Sequence, residues 1–513
     1  MGYITCEEGN LHQKKKILLY PVGHCYNSLL LTMEKMAYFL VKSGYDVTMI
    51  VNDGYNESKS NVDMTNVSFA KFAGPQNITT MCDLEDSLSN NQVGMLEIIN
   101  VWMSSTVEFC QALLNSDLLD NIRLQNYDLI ILDRSDWCSA IIAEAVNIPF
   151  VIIASSPNAF NADELYRFFH TPTNLSPRVL QWPMSFVDRL TNVFIRTVAY
   201  AMRLYFIPQI QALKVSYDIT PSQHLTEVYD KAALNLLYSD QRADYPRPLY
   251  AHEVEIGFLF PEIVQPVLPS EVSEFIGEDK NVIVVSFGSQ IGKLSDKFID
   301  VAVEIFTRMP YKVIIRANDF SQSYTNILVL PWIPQSELLA SGQVCLLITH
   351  GGQASAMESI YNGVPMVIIP LHDEQAAQAE KLANYLNVAR VVDFHSLTVD
   401  SLTAAMEYVL SEDSPVKTNV RALSSSVKHG VVSPSDTFLY WINETIFQSK
   451  CVEAVLPQHP VKLNILQWLM VDIFLSIAVI LVMAVMLIRP VCSSFIRIIY
   501  YKNRIMLNRV KED

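Results

Sequence analysis

None of the eight cysteines forms a C-x-x-C pair, which removes zinc-finger and iron–sulfur readings, leaves disulfide pairing open, and gives no reason to expect a metal. Positive charge is scarce. With 37 Lys and Arg against 53 Asp and Glu, the chain carries a formal charge of −16, and no basic run is interleaved with aromatics, so nucleic acid is not an expected partner. No internal repeat of solenoid period occurs. The opening stretch MGYITCEEGNLHQKKK has no apolar h-region like that of a signal peptide. Targeting then falls to an atypical or incomplete start, or to an anchor further along.

What is present is apolar surface in quantity. Half of the 513 residues are hydrophobic, too many and in too long a chain for one ordinary core, so two domains and a membrane segment are expected. KILLY at Lys16–Tyr20, a helix-like run to Lys42, Gly44 as its C-cap and Val47–Val51 compose a βαβ opening. Leu129–Leu132 and Phe150–Ala154 continue the alternation, which makes 14–245 one doubly wound α/β domain. Pro246, Pro248, Pro261, Pro266 and Pro269 mark 246–281 as a linker. Short apolar runs at Val282–Val285, Val313–Ile315, Val329–Leu330, Cys345–Ile348 and Met366–Ile369 supply a second α/β domain over 282–450. Between Trp182 and Ile207, Arg189, Arg196 and Arg203 recur every seven residues near one helix face. That spacing fits an amphipathic helix covering the first domain, or one lying on a membrane.

From Trp468 to Ile488 the only charge is Asp472, and a helix of that length spans about 31 Å, enough for one transmembrane crossing. The basic residues after it, Arg489, Arg497, Lys502, Arg504, Arg509 and Lys511, make 489–513 a cytoplasmic tail and put the body on the other side. Sequons at Asn56, Asn66, Asn77, Asn174 and Asn443 are compatible with a lumenal body. The basic ending points to an endoplasmic-reticulum, type I, single-pass protein.

The densest chemistry lies between Trp332 and Gln375. Thr349-His350-Gly351-Gly352 leaves an apolar strand and enters a helix-like run, where two residues without Cβ and a helix N-terminus suit a diphosphate. Trp332 offers a face for a uracil-like base, Gln335 an amide for its edge or the ribose, and Glu358 a carboxylate for ribose hydroxyls. Glu374 and Gln375 suit sugar hydroxyls. Each has a plainer reading as core, turn or solvated face.

As an ordered set they resemble the signature of the UDP-glycosyltransferase family, animal glucuronosyl- and glucosyltransferases included. Tyr127-Asp128-Leu129-Ile130-Ile131-Leu132-Asp133 and Val285-Ser286-Phe287-Gly288-Ser289 extend the resemblance over most of the chain. It implies an α/β fold of two Rossmann-like domains facing a cleft (GT-B type), with the C-terminal transmembrane helix. By the same resemblance Trp332 and Gln335 hold uridine, His350 and Ser289 the diphosphate, Glu358 the ribose, and Glu374-Gln375 the sugar. The sugar donor is then a co-substrate and no further cofactor is expected. Many animal members have Asp where Glu374 stands and Asn where Ala354 stands; Ser355 is placed to restore the lost donor.

The implied reaction is an inverting transfer of glucuronic acid or glucose to small lipophilic acceptors, with a His oriented by a buried Asp as base. Asp133 occupies the family's Asp position. The family's His stands fifteen residues before the Gly that ends the first helix, and here that count reaches Leu29, while the loop's one histidine is His24. Two readings follow: His24 is the base in a rearranged loop, or Leu29 marks a catalytically impaired, nucleotide-sugar-binding partner subunit. A homo- or hetero-oligomer and a retaining mechanism stay open.

Overall fold

The computed structural model describes residues 14–21, 27–56, 60, 62–76, 95–154, 172–173, 179–229, 231–247, 249–260, 267–288, 294–318, 324–448 and 465–509. It separates into two compact units, 1–459 and 460–513. The first contains two parallel sheets. Strands β1 (Lys16–Tyr20), β2 (Asp46–Asn52), β3 (Val67–Phe72), β4 (Leu129–Asp133), β5 (Phe150–Ala154), β6 (Leu234–Leu237) and β7 (Glu253–Glu255) lie in the order β3-β2-β1-β4-β5-β6-β7. Strands β8 (Val282–Ser286), β9 (Lys312–Arg316), β10 (Ile327–Leu330), β11 (Val344–Thr349), β12 (Met366–Ile368) and β13 (Ala389–Val391) lie in the order β10-β9-β8-β11-β12-β13.

Both sheets start at a central strand and reverse direction next to it, between β1 and β4 and between β8 and β11. Ligands of doubly wound folds bind at such switch points, at the carboxyl ends of the strands. The central strands read as continuous apolar runs because helices cover both faces: Ile17, Leu18, Leu19 and Tyr20 are fully buried, as are Val282 to Val285. Crossover helices begin and end as the residues require. Asn27–Lys42 stops at Gly44, whose φ of +91° is cheap only for glycine.

The proline-rich span 246–281 carries β7, which completes the first sheet, and the helix Ser270–Ile276. Ile256, Phe258 and Leu259 are buried in an apolar cluster shared by both sheets. The helix Pro434–Gln448 returns to the first half, burying Phe438, Ile442 and Ile446 in that cluster, while Tyr45 donates its hydroxyl to Asn443.

The arginine-spaced segment forms the helix Phe186–Ser216, begun by a Ser185–Asp188 capping box. Its first half departs from the amphipathic expectation. Asp188, Asn192 and Arg196 are buried, Arg189 is exposed, and Phe186, Leu190, Phe194 and Val198 face solvent. In the second half the order is the usual one, with Ile207 and Ile210 in the core. Among the described residues, the disulfide Cys110–Cys138 joins two helices of the first half, and Cys345 is a free thiol.

The second unit contains the helix Val471–Arg509. Its window Val471–Pro490 has a mean hydropathy of 2.9 and is long and apolar enough to cross a membrane.

Candidate functional site: a nucleotide-sugar cradle on the second sheet

The polar residues singled out between Trp332 and Gln375 gather at the carboxyl edge of the second sheet. Gln335 opens the helix Gln335–Ala340 and donates its amide to Glu358 Oε2 (2.8 Å) and Ser355 Oγ (3.1 Å). Ser336 donates to Glu358 Oε1 at 2.8 Å. Ser355 and Glu358 sit on the buried side of the helix Gln353–Asn362, so four polar side chains converge from two helices. Trp332 lies just past β10 and is 41% exposed, an uncovered indole beside this cluster's helix. The Arg316 guanidinium lies 5.5 Å from its ring centre and also donates to the Gly288 carbonyl. Arg316 therefore ties the indole to the loop that leaves β8.

His350 occupies the turn between β11 and the helix Gln353–Asn362, and the glycines around it have a steric reason. A Cβ on Gly288 would lie 2.6 Å from His350 Cε1, and one on Gly352 would lie 2.5 Å from Nε2. The imidazole fills the space that both leave. Gly351 has φ of +90° and would meet Ile368 Cγ2 at 2.8 Å, so it is glycine for backbone and packing together. Burial, reinforced by the charges of His372 and Arg316, pushes the His350 pKa down to about 3. The ring is neutral near pH 7. Thr349 Oγ1 stands 3.3 Å from His350 Nδ1; when that hydroxyl donates, Nε2 carries the proton and offers it as a hydrogen-bond donor.

Glu374 and Gln375 start the helix Asp373–Glu380 and are not presented alike. Glu374 is exposed, whereas Gln375 is buried and accepts the Leu371 amide at 2.8 Å, which leaves its NH₂ as the group to offer outward. Ser289, His24 and the side chain of Leu29 lie outside the described residues.

At the switch point of the first sheet, Asp133 ends β4 and is 3% exposed. Both the backbone amide and the hydroxyl of Ser135 donate to its Oδ1. Burial outweighs these bonds and pushes its pKa up to about 6. Beside it, Asp136 accepts the Tyr20 hydroxyl at 3.0 Å and the Cys138 amide at 2.8 Å.

Arg316, Ser336 and Asp136 were not singled out from sequence. Arg316 was within reach, being a charge at the carboxyl end of an apolar strand, where open parallel sheets place ligands. Ser336 and Asp136 gave no signal, since one hydroxyl or carboxylate in a loop is ordinary.

Two parallel sheets of this order, each with polar groups at its switch point, define the class of two-domain glycosyltransferases of GT-B type. Among solved structures, a UDP-glucose:anthocyanidin 3-O-glucosyltransferase in complex with UDP superposes with a TM-score of 0.59 at 14% identity, covering 85% of this chain and 99% of its own. The chain belongs to the UDP-glycosyltransferase family: residues 15–505 match the model described as UDP-glucoronosyl and UDP-glucosyl transferase. Human UDP-glucuronosyltransferase 3A1 is 30% identical over 66% of each chain, and human UDP-glucuronosyltransferase 2B7 is 26% identical over 79% of each.

Proposed function

We propose that this UDP-glycosyltransferase performs an inverting transfer of glucuronic acid or glucose from its UDP-sugar to small lipophilic acceptors. The observation that carries the reading is the row of groups along one sheet edge: an exposed indole at Trp332, the Gln335–Glu358 pair and the His350-Gly351-Gly352 turn. Uracil stacks on Trp332, the ribose meets Gln335 and Glu358, and the diphosphate lies against His350, Ser289 and the N-terminus of the helix Gln353–Asn362. Arg316 adds a cation on that side, so departing UDP meets fixed donors without a metal. Glu374 and the Gln375 amide take the sugar.

The acceptor enters from the first half, where His24 removes its proton as the glycosidic bond forms and UDP leaves from the opposite face. Asp133 orients that base. Because its folded pKa is raised, Asp133 holds a proton below about pH 6 and becomes the required anion only above it. For hydroxyl acceptors kcat/KM is expected to climb through pH 6 as Asp133 and the base lose their protons, and Asp133→Asn to lower the rate by at least about 10²-fold. An unchanged rate in the variant removes Asp133 from the reaction.

Leu29 supports a second reading, a subunit that binds the nucleotide sugar without turning it over. Calorimetry with UDP and product analysis across UDP-glucose and UDP-glucuronic acid, with phenols and amines as acceptors, separates the two. Binding with no product from any pair favours the silent subunit; no UDP affinity removes both. The anomeric configuration of the product tests inversion. A type I orientation with a lumenal body in the endoplasmic reticulum is supported by the basic residues after the apolar helix and by the Cys110–Cys138 disulfide, which suits an oxidising compartment.

A further inference from the structure

A lysine of the first half reaches the ribose carboxylate of the second. Lys35, on the helix Asn27–Lys42, places its ammonium 3.5 Å from Glu358 Oε1 with both side chains 8% exposed. The same ammonium lies 4.8 Å from the ring centre of Phe260, whose ring is itself 4.8 Å from that of Tyr361 on the helix that bears Glu358. Cation, ring and carboxylate are thereby locked in one arrangement. Burial works against this charge, but Tyr238, Glu358 and Glu337 around it hold the Lys35 pKa above its ordinary value.

Around Glu358 the bonds leave a specific vacancy of function. Oε1 receives Ser336 and Lys35, and Oε2 receives Gln335. An ionised carboxylate has about four acceptor positions, so these donors leave about one for a ligand. Gln335 commits its NH₂ to Glu358 and Ser355, which leaves its carbonyl as the group to offer a ligand. The orientation of both groups therefore depends on the ammonium together with the Ser336 and Gln335 bonds.

We propose that Lys35 is a positioning residue of the donor site: acting from the first half, it holds Glu358 in the orientation that accepts a ribose hydroxyl, so that ribose recognition by one half requires the other. This rests on Glu358 as the ribose partner. Without the ammonium, the carboxylate keeps Ser336 and Gln335 but loses its cationic partner, and discrimination for the hydroxyl falls more than affinity for the rest of the nucleotide.

The test titrates the full-length, detergent-solubilised protein with UDP and with 2′,3′-dideoxy-UDP. Wild type is expected to prefer UDP by about 10-fold or more, the worth of a hydrogen bond to a charged group. Lys35→Met is expected to compress that preference to within about threefold, and Lys35→Arg to restore it. Should the Met variant not be recovered folded, Lys35→Gln, which also removes the charge, is read by the same pair of titrations. A neutral variant that weakens both nucleotides equally and keeps the full preference overturns the proposal while leaving Glu358 as the ribose partner. Absence of any preference in wild type overturns the ribose role itself, and the proposal with it.

Discussion

Gly352→Ala is expected to weaken UDP binding by about 100-fold. The backbone does not forbid alanine, for Gly352 has φ of −59° and ψ of 141°. The obstruction is the imidazole: the new Cβ falls 2.5 Å from His350 Nε2 and 2.7 Å from Cε1. Gly288 faces the same Cε1–Nε2 edge, where a Cβ would fall 2.6 Å from Cε1. Pushing His350 out costs roughly 1–3 kcal/mol of stability as overpacking and turns its Nε2–H away from the diphosphate. Calorimetry with UDP together with a melting curve reads both parts. A UDP affinity within threefold of wild type shows that His350 does not donate to the phosphates.

Trp332→Ala separates binding from folding in the opposite sense. At 41% exposure the indole contributes little to the core, so melting should move by no more than the roughly 0.5 kcal/mol usual for surface changes. UDP affinity should nonetheless fall on the order of 10- to 100-fold, the range that loss of one stacking aromatic produces. Trp332→Phe should recover part of it. The guanidinium of Arg316 loses its ring partner in the alanine variant, and Arg316→Lys with Trp332 intact serves as the control for that contact. Unaltered UDP affinity in Trp332→Ala places the base elsewhere.

Nine of the thirteen described strands were legible because each is a short apolar run between turn residues; β3, β6, β7 and β13 were not, β7 reading Glu-Val-Glu and β13 Ala-Arg-Val. Lys16–Tyr20 matches its expected bounds, and Leu129–Leu132 and Val282–Val285 each differ from β4 and β8 by one residue. Gly44 ended its helix where a residue of positive φ was called for. The helix over Phe186–Ser216 was legible as a helix but not in its facing. Arginine spacing suggests a solvated stripe, yet Asp188, Asn192 and Arg196 turn inward and large apolar side chains turn out. Periodicity reports which residues share a face; what covers that face is decided by the rest of the chain.

In the site the same division holds. A polar residue closing an apolar strand marked His350, while side-chain chemistry and the family resemblance marked Trp332, Gln335, Glu358 and Asp133. Their mutual bonds were not visible. That two glycines stand where an imidazole needs room, that burial leaves His350 neutral while it raises Asp133, and that Lys35 crosses more than 300 positions of sequence to reach Glu358 all follow from packing. Amino-acid order dictates periodicity and local chemistry, which are properties of neighbours along the chain. Desolvation and contact arise only when distant segments exclude water together, and those two effects assign each polar group its charge and its partner.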